Sequence, residues 1–270
     1  MSIHTDSSPT VHGTAQIQGQ LWGARATDYA ELVEPLARPI YERVFEEAGV
    51  GMGTRYLDIG CGPGLAAQIA AANGAQAAGL DAAAPSIDIA RQRTPDGDFR
   101  VGELEALPWD DDTFDVVTSF NAFQYAADPV HALREARRVA KPQGKVAIVV
   151  WGRDEDCESS VSIAAVSKLL PPQPPGAGRT ALSAPGRVEA LLEEAGITPL
   201  TSGEVDCIFE FSDLETAVRG MTSAGVMVAI AQKVGDDVLR QAVADSLASF
   251  RTPTGGTRQR NRFRYVIGSA

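Results

Sequence analysis

The segment Leu57-Asp58-Ile59-Gly60-Cys61-Gly62-Pro63-Gly64 constrains this chain more than any other. A short, largely apolar run over 56–59 leads into three alternate glycines, and an alanine-rich stretch over 65–72 follows. Residues without a Cβ let a backbone turn sharply and let a ligand come close. A strand passing through such a turn into a helix opens a β–α unit and leaves room for a bound group. Two details narrow that group. Asp58 lies two residues before the first glycine, where a carboxylate opposes a pyrophosphate and suits a cation. The spacing is G-x-G-x-G, with leucine at position 65, whereas dinucleotide turns run G-x-G-x-x-G. Both favour a ligand carrying an ammonium group over a dinucleotide.

The residues beyond this turn repeat the β–α pattern. Strands are expected at 77–80, 98–101, 114–119 and 145–151, with helices at 65–72 and 86–93 and another opened by Asp128-Pro129. Asp128 is an N-cap candidate and Pro129 suits the first helical position. Arg137, Arg138 and Lys141 complement the dipole at the other end, and Pro142 ends the helix. Strands alternating with helices predict a mostly parallel sheet covered on both faces. Ahead of it, helical spacing over 21–45 is interrupted by Pro35 and Pro39, which predicts two shorter helices. Residues 1–20 read as a mobile arm, with no apolar segment of the kind a signal peptide needs.

After 151 the pattern is less regular. Helices are expected at 159–170 and 185–195, separated by a turn-rich run over 171–178. Strands at 205–211 and 262–267 enclose two further helices, 214–222 and 236–249. The reading is one domain over 21–270 with a core at 50–151. The surplus at 21–48, 152–184 and 213–256 is assigned to a cap.

Two acids follow the strands that flank the glycine turn. Asp81 ends the second strand and can accept from two ribose hydroxyls, a role open to dinucleotide and nucleoside ligands alike. Glu103, after the third strand, can accept from an adenine amino group while a neighbouring backbone amide donates to the ring. The bland alternatives, a surface turn acid and a solvated loop acid, stand beside these roles.

The ordered motifs Y-L-D-I-G-C-G-P-G, G-L-D, V-G-E-L-E-A-L-P-W-D-D-D-T-F-D-V-V and R-E-A-R-R-V-A-K-P-Q-G-K resemble those of class I S-adenosylmethionine-dependent methyltransferases, nearest to the type 11 group. The resemblance implies a Rossmann-like α/β fold with a seven-stranded, mostly parallel sheet of order 3-2-1-4-5-7-6, and S-adenosylmethionine as cofactor. By motif, Asp58 and the turn Gly60, Cys61, Gly62 and Gly64 would hold the methionine end. Asp81 with Ala82 would bind the ribose, and Glu103 with Leu104 would read the adenine. Asn121 and Tyr29 match family positions near the methionine moiety. The chain departs from the family at Gln124 and Tyr125, where many relatives carry histidine. It departs again at Pro142-Gln143-Gly144, usually Pro-Gly-Gly, and at Ser86, which replaces a larger apolar residue.

No catalytic residue is assigned. His131 falls on the polar face of its helix, His4 and His12 lie in the arm, and Cys61 is explained by the small residue the turn needs. Trp22, Phe123, Tyr125, Trp151 and Met227 could line a substrate pocket or simply be core. Arg258, Arg260, Arg262 and Arg264 read as the solvated face of the last strand. The net charge of −11, from 24 basic and 35 acidic residues, disfavours nucleic acid and anionic membrane surfaces. Three scattered cysteines form no zinc or disulfide pattern and suggest a cytoplasmic protein. Methyl transfer to a small-molecule acceptor is the expected activity. A catalytically silent S-adenosylmethionine-binding protein and a nicotinamide-dependent oxidoreductase are the alternatives.

Overall fold

The computed structural model describes residues 13–171 and 182–270. Its order begins α1 (Ala15–Gly23), α2 (Ala26–Leu32), a 3₁₀ turn (Glu34–Ala37), α3 (Arg38–Ala48), β1 (Arg55–Ile59), α4 (Leu65–Ala72), β2 (Gln76–Asp81) and α5 (Ala84–Arg93). It continues β3 (Asp98–Val101), β4 (Phe114–Phe120), α6 (Pro129–Val139), β5 (Ala140–Trp151), α7 (Ser160–Ser167), α8 (Arg187–Glu194) and β6 (Thr198–Phe211). The last elements are α9 (Leu214–Met221), α10 (Gly225–Val234), α11 (Asp236–Ser246) and β7 (Thr257–Ser269).

The seven strands form one sheet of order β3-β2-β1-β4-β5-β7-β6. Strands β1 to β5 pair in parallel, and β7 runs antiparallel to both β5 and β6. Because β1, β2 and β4 are buried between helices, they read as largely apolar runs such as Ala77-Ala-Gly-Leu80. Two apolar clusters cover the faces: one packs α3 and α4 on the sheet through Val44, Phe45 and Ala67, the other packs α6 and α8 through Leu133, Ala136 and Leu192. Asp128 caps α6 as its sequence suggests, its Oδ1 accepting from the N–H groups of Val130 and His131 at 3.0 Å.

Four expectations need correction. The arm does not extend through residue 20, because α1 starts at Ala15; residues 1–12, with His4 and His12, lie outside the described residues. The prolines mark starts rather than interruptions: Pro35 opens the 3₁₀ turn and Pro39 the first turn of α3, giving three helices and a 3₁₀ turn where two helices were expected. A third late helix, α10, fills 225–234, since a segment apolar on most sides carries no helical stripe to read. The closing strands are also longer than expected, pairing from Phe211↔Thr257 to Thr198↔Ser269. Their polar outward residues hid the ends. The turn-rich run over 171–178 falls almost wholly outside the described residues.

Of the four arginines on β7, Arg258, Arg260 and Arg262 are ion-paired on the outer face with Glu210, Asp206 and Glu204 across β6. Arg264 departs from the solvated reading. It is mostly buried and pairs with Glu189 of α8, so it ties that helix to the sheet.

Candidate active site

Every strand from β1 to β5 delivers its carboxyl end to one edge, and a single large cavity opens there, roofed by α1, α7, α9 and α10. The glycine turn forms its floor. Gly60, Gly62 and Gly64 have φ of 72°, 52° and 84°, a region that costs other residues about 1–2 kcal/mol. Gly60 also needs its missing side chain for space, since a Cβ there would stand 2.2 Å from that of Ala122. Gly62 differs: nothing lies within 4 Å of the position its Cβ would take, and it faces the cavity.

Asp81 lies at the end of β2 and lines the cavity. Its Oδ2 accepts from the Gly62 N–H and its Oδ1 from the Ala83 N–H, each at 2.8 Å, so one carboxylate fixes both the glycine turn and the following loop. Burial pushes this carboxyl up, opposed by the backbone donors of Ala83, Gly62 and Ala82. Ala82, Glu103 and Leu104 line the same side. Glu103 also accepts from the Ala15 N–H at 2.8 Å, and Thr14 Oγ1 donates to the Tyr125 carbonyl at 2.6 Å. These two bonds seat the first turn of α1 over the cavity. Gly19 lets α1 come down, because a Cβ would stand 2.3 Å from the Ala82 carbonyl oxygen.

Asp58, Cys61 and Gly64 do not line the cavity. Asp58 is 2% exposed and its Oδ1 accepts from Thr118 Oγ1 at 2.8 Å, which in turn contacts the Tyr56 hydroxyl at 2.6 Å. Asp58 stands beside its registered neighbour Thr118 on the same face of the sheet, so the carboxylate meets that β4 hydroxyl rather than the cavity. Burial pushes its carboxyl well up, against the Thr118 hydrogen bond. Cys61 turns its thiol into the space above Gly79 and Phe99, where a Cβ on Gly79 would sit 2.8 Å from Sγ. Burial pushes that thiol up, so it is no thiolate. Gly64 packs against Ala90.

Tyr29 and Asn121 do line the cavity, and so do Trp22, Tyr125, Trp151 and Met227; Phe123 is core. Trp22 stands edge-on to Tyr29 and to Tyr125, with centroids 5.3 and 5.8 Å apart. Burial pushes the Tyr29 phenol up, aided by Glu34, Tyr125 and Asp81, so it stays neutral. Asn121 adopts φ 56° just after β4, and its Oδ1 is buried without a partner. Ser86 also faces the cavity. His131 is exposed and does not line it.

Two acids escaped the sequence reading. Glu34, 3% exposed, accepts from the Leu65 N–H at 2.9 Å and pairs with Arg93. Arg93 donates to the carbonyls of Pro63 at 2.9 Å and Ala30 at 3.0 Å, so the pair clamps the leading helices to the glycine turn. Glu105 is buried and accepts from the N–H groups of Ala127 and Asp128 at 2.6 and 3.2 Å, which fixes the segment carrying Gln124 and Tyr125. Their partners lie 22 to 59 residues away, and no local pattern marks them. Gly19 and Gly23, one helical turn apart, were the available sign that α1 packs closely on the site.

These features suit S-adenosylmethionine: an acid with both oxygens at the end of β2, an open glycine facing it, and an unpartnered Asn121 oxygen able to accept from an ammonium. When bound, that cofactor supplies an activated methyl group on a sulfonium.

Residues 57–148 match the model of the methyltransferase domain. The malonyl-[acyl-carrier protein] O-methyltransferase of Erwinia pyrifoliae is 29% identical over 204 residues, covering 76% of this chain and 74% of that protein. The 27-O-demethylrifamycin SV methyltransferase of Amycolatopsis mediterranei is 27% identical over 210 residues, covering 71% and 73% respectively. In fold, a SAM-dependent methyltransferase from Aquifex aeolicus superposes with a TM-score of 0.52 at 22% identity, over 67% of this chain and 92% of that one. The matched domain, the relatives and the strand order together support a class I S-adenosylmethionine-dependent methyltransferase.

Proposed function

We propose that this enzyme methylates a small-molecule acceptor held under a cap, in one domain spanning 21–270. The core over 50–151 would hold most of the cofactor, and the leading helices from Ala15, with 152–171 and 213–256, would close over it and the acceptor. The observation that carries this reading is the division of the cavity along the sheet edge. Asp81 and Glu103 stand at the β2 and β3 ends, whereas Phe120, Trp151, Phe263 and Phe209 line the β4, β5, β7 and β6 side. In this reading Asp81 and Ala82 bind the ribose, Glu103 and Leu104 the adenine, and Gly60, Gly62, Asn121 and Tyr29 surround the methionine end. Asp58, Cys61 and Gly64 support the turn from behind.

The chain's own contribution would be orientation and exclusion of water, since displacement on a sulfonium starts from an activated donor. Aligning two reactants is worth about 7–11 kcal/mol at best. The two named relatives support the acceptor class, one acting on malonyl-[acyl-carrier protein] and one on a rifamycin. The acidic balance of −11 argues against nucleic acid. Cys61, Cys157 and Cys207 are all buried, in keeping with a cytoplasmic setting. Among the described residues no helix is long and apolar enough to cross a membrane.

Calorimetry with S-adenosylhomocysteine tests the assignment. Asp81→Ala should cost about 1.5–3 kcal/mol of binding, from lost hydrogen bonds to a charged group. Mass spectrometry of a metabolite extract incubated with labelled donor should then show a methylated product. Tight binding of a nicotinamide dinucleotide with none of S-adenosylhomocysteine would refute the reading.

A further inference from the structure

We infer that the acceptor is an uncharged, largely apolar molecule bearing a phenol-like hydroxyl, and that Gln124 is the residue that orients it. This rests on the methyltransferase reading above and adds the acceptor's chemistry. Gln124 sits in the 3₁₀ turn Phe123–Tyr125 beyond β4 and lines the cavity. Both ends of its carboxamide, Oε1 and Nε2, are buried without a partner. Leaving a buried polar group unmet is costly, and this side chain leaves a donor and an acceptor unmet together. A hydroxyl both donates and accepts, so it can answer either atom.

The surroundings define the rest of the molecule. Gln124 shares the cavity with Phe120, Trp151, Phe209, Phe263 and Met227. Trp151 and Phe263 pack with ring centroids 4.4 Å apart and planes tilted by 39°, an apolar wall. Among the described residues, Asp81 and Glu103 are the sole charged residues lining the cavity, and no Lys, Arg or His does so. An anionic acceptor would find no cationic side chain among these, and a cationic one would compete with the cofactor for the two acids, so a neutral molecule is the least costly to bury. The same absence leaves no strong base, so the attacking hydroxyl must be acidic in its own right, as a phenol or enol is. In the transfer its oxygen forms the new C–O bond while the C–S bond breaks. The sulfonium becomes a neutral thioether and the hydroxyl proton leaves to water.

The test uses the full chain saturated with S-adenosylhomocysteine, and equilibrium dialysis of 2-naphthol, naphthalene, 2-naphthoate and 2-naphthylmethylammonium. We expect 2-naphthol to bind at least tenfold tighter than naphthalene and tighter than either ion. Gln124→Leu, or the longer Gln124→Met, should weaken 2-naphthol at least fivefold while leaving naphthalene and S-adenosylhomocysteine within twofold. Equal binding of naphthol and naphthalene, or tightest binding of an ion, overturns the inference. So does an unchanged naphthol affinity in both variants, which would mean that only water answers Gln124. Weaker S-adenosylhomocysteine binding in the variants would move Gln124 to the cofactor. Failure of the unmodified protein to bind S-adenosylhomocysteine would instead count against the methyltransferase reading itself.

Discussion

Replacing Glu34 by glutamine removes one charge from the clamp between the leading helices and the glycine turn. The pair with Arg93 is nearly sealed: the side chains are 4% and 21% exposed. Two unit charges about 4 Å apart attract by about 4 kcal/mol at an effective dielectric of 20. Breaking a buried pair by removing one partner costs about 3–5 kcal/mol, because the other charge is left uncompensated. Arg93 keeps its bonds to Pro63 and Ala30, and glutamine can still accept from the Leu65 N–H, so the lower part of that range applies. We therefore expect Glu34→Gln to cost about 3 kcal/mol in urea denaturation. Adding Arg93→Met should restore at least 1 kcal/mol relative to the sum of the single changes. Because Arg93 holds the Pro63 carbonyl, S-adenosylhomocysteine affinity should also fall about tenfold in Glu34→Gln, equivalent to 1.4 kcal/mol. A loss under about 0.5 kcal/mol, or strict additivity in the cycle, would show that the pair is only a surface contact and that the reasoning is wrong.

Two further expectations follow from the turn and the buried network behind it. Gly60→Ala meets both a positive φ and the Ala122 methyl, whereas Gly62→Ala meets only the positive φ. Thermal unfolding should show a much larger loss for the first. Calorimetry should show the second losing S-adenosylhomocysteine affinity while it remains folded. Equal destabilisation would contradict the open setting of Gly62. For Asp58, the folded carboxyl lies above its unfolded value, so on raising the pH the unfolded chain releases its proton first and wild-type stability declines. Asp58→Asn lacks that slope. Its stability relative to the wild type should improve between pH 4 and pH 7, measured as the gap in denaturation midpoints; a constant or opposite gap rejects the assignment.

The local parts of this enzyme are legible without coordinates. The glycine turn, the Asp128 cap and the strands up to Trp151 each depend on residues a few positions apart, and short-range sterics fix them. The strand order was implied by the resemblance of the motifs, not by periodicity. Asp81 and Glu103 were expected at one edge because they lie at or just beyond strand ends, and Asn121 because it matches a family position; all three line the cavity there. Asp58 shows where that rule stops: its spacing suggested a ligand contact, yet the pleat turns it to Thr118 and Tyr56.

What only the tertiary structure decided depends on pairs far apart in the chain. The Glu34–Arg93 clamp spans 59 residues and the Ala15–Glu103 bond spans 88. Nothing in the neighbourhood of either residue distinguishes a buried partner from a solvated charge. Likewise α10 carries no stripe, and its apolar residues acquire a direction only when α1, α11 and the cavity surround it. Gln124 is the sharpest case. In the sequence it was a departure from a histidine, and its chemical meaning comes from the folded chain, which buries both ends of its amide and offers neither a partner. Sequence alone determined the strand–helix core, because short-range geometry specifies it, and the resemblance of its motifs implied the cofactor. Packing decided the roof, the clamp and the character of the acceptor site, because burial is a property of the whole fold.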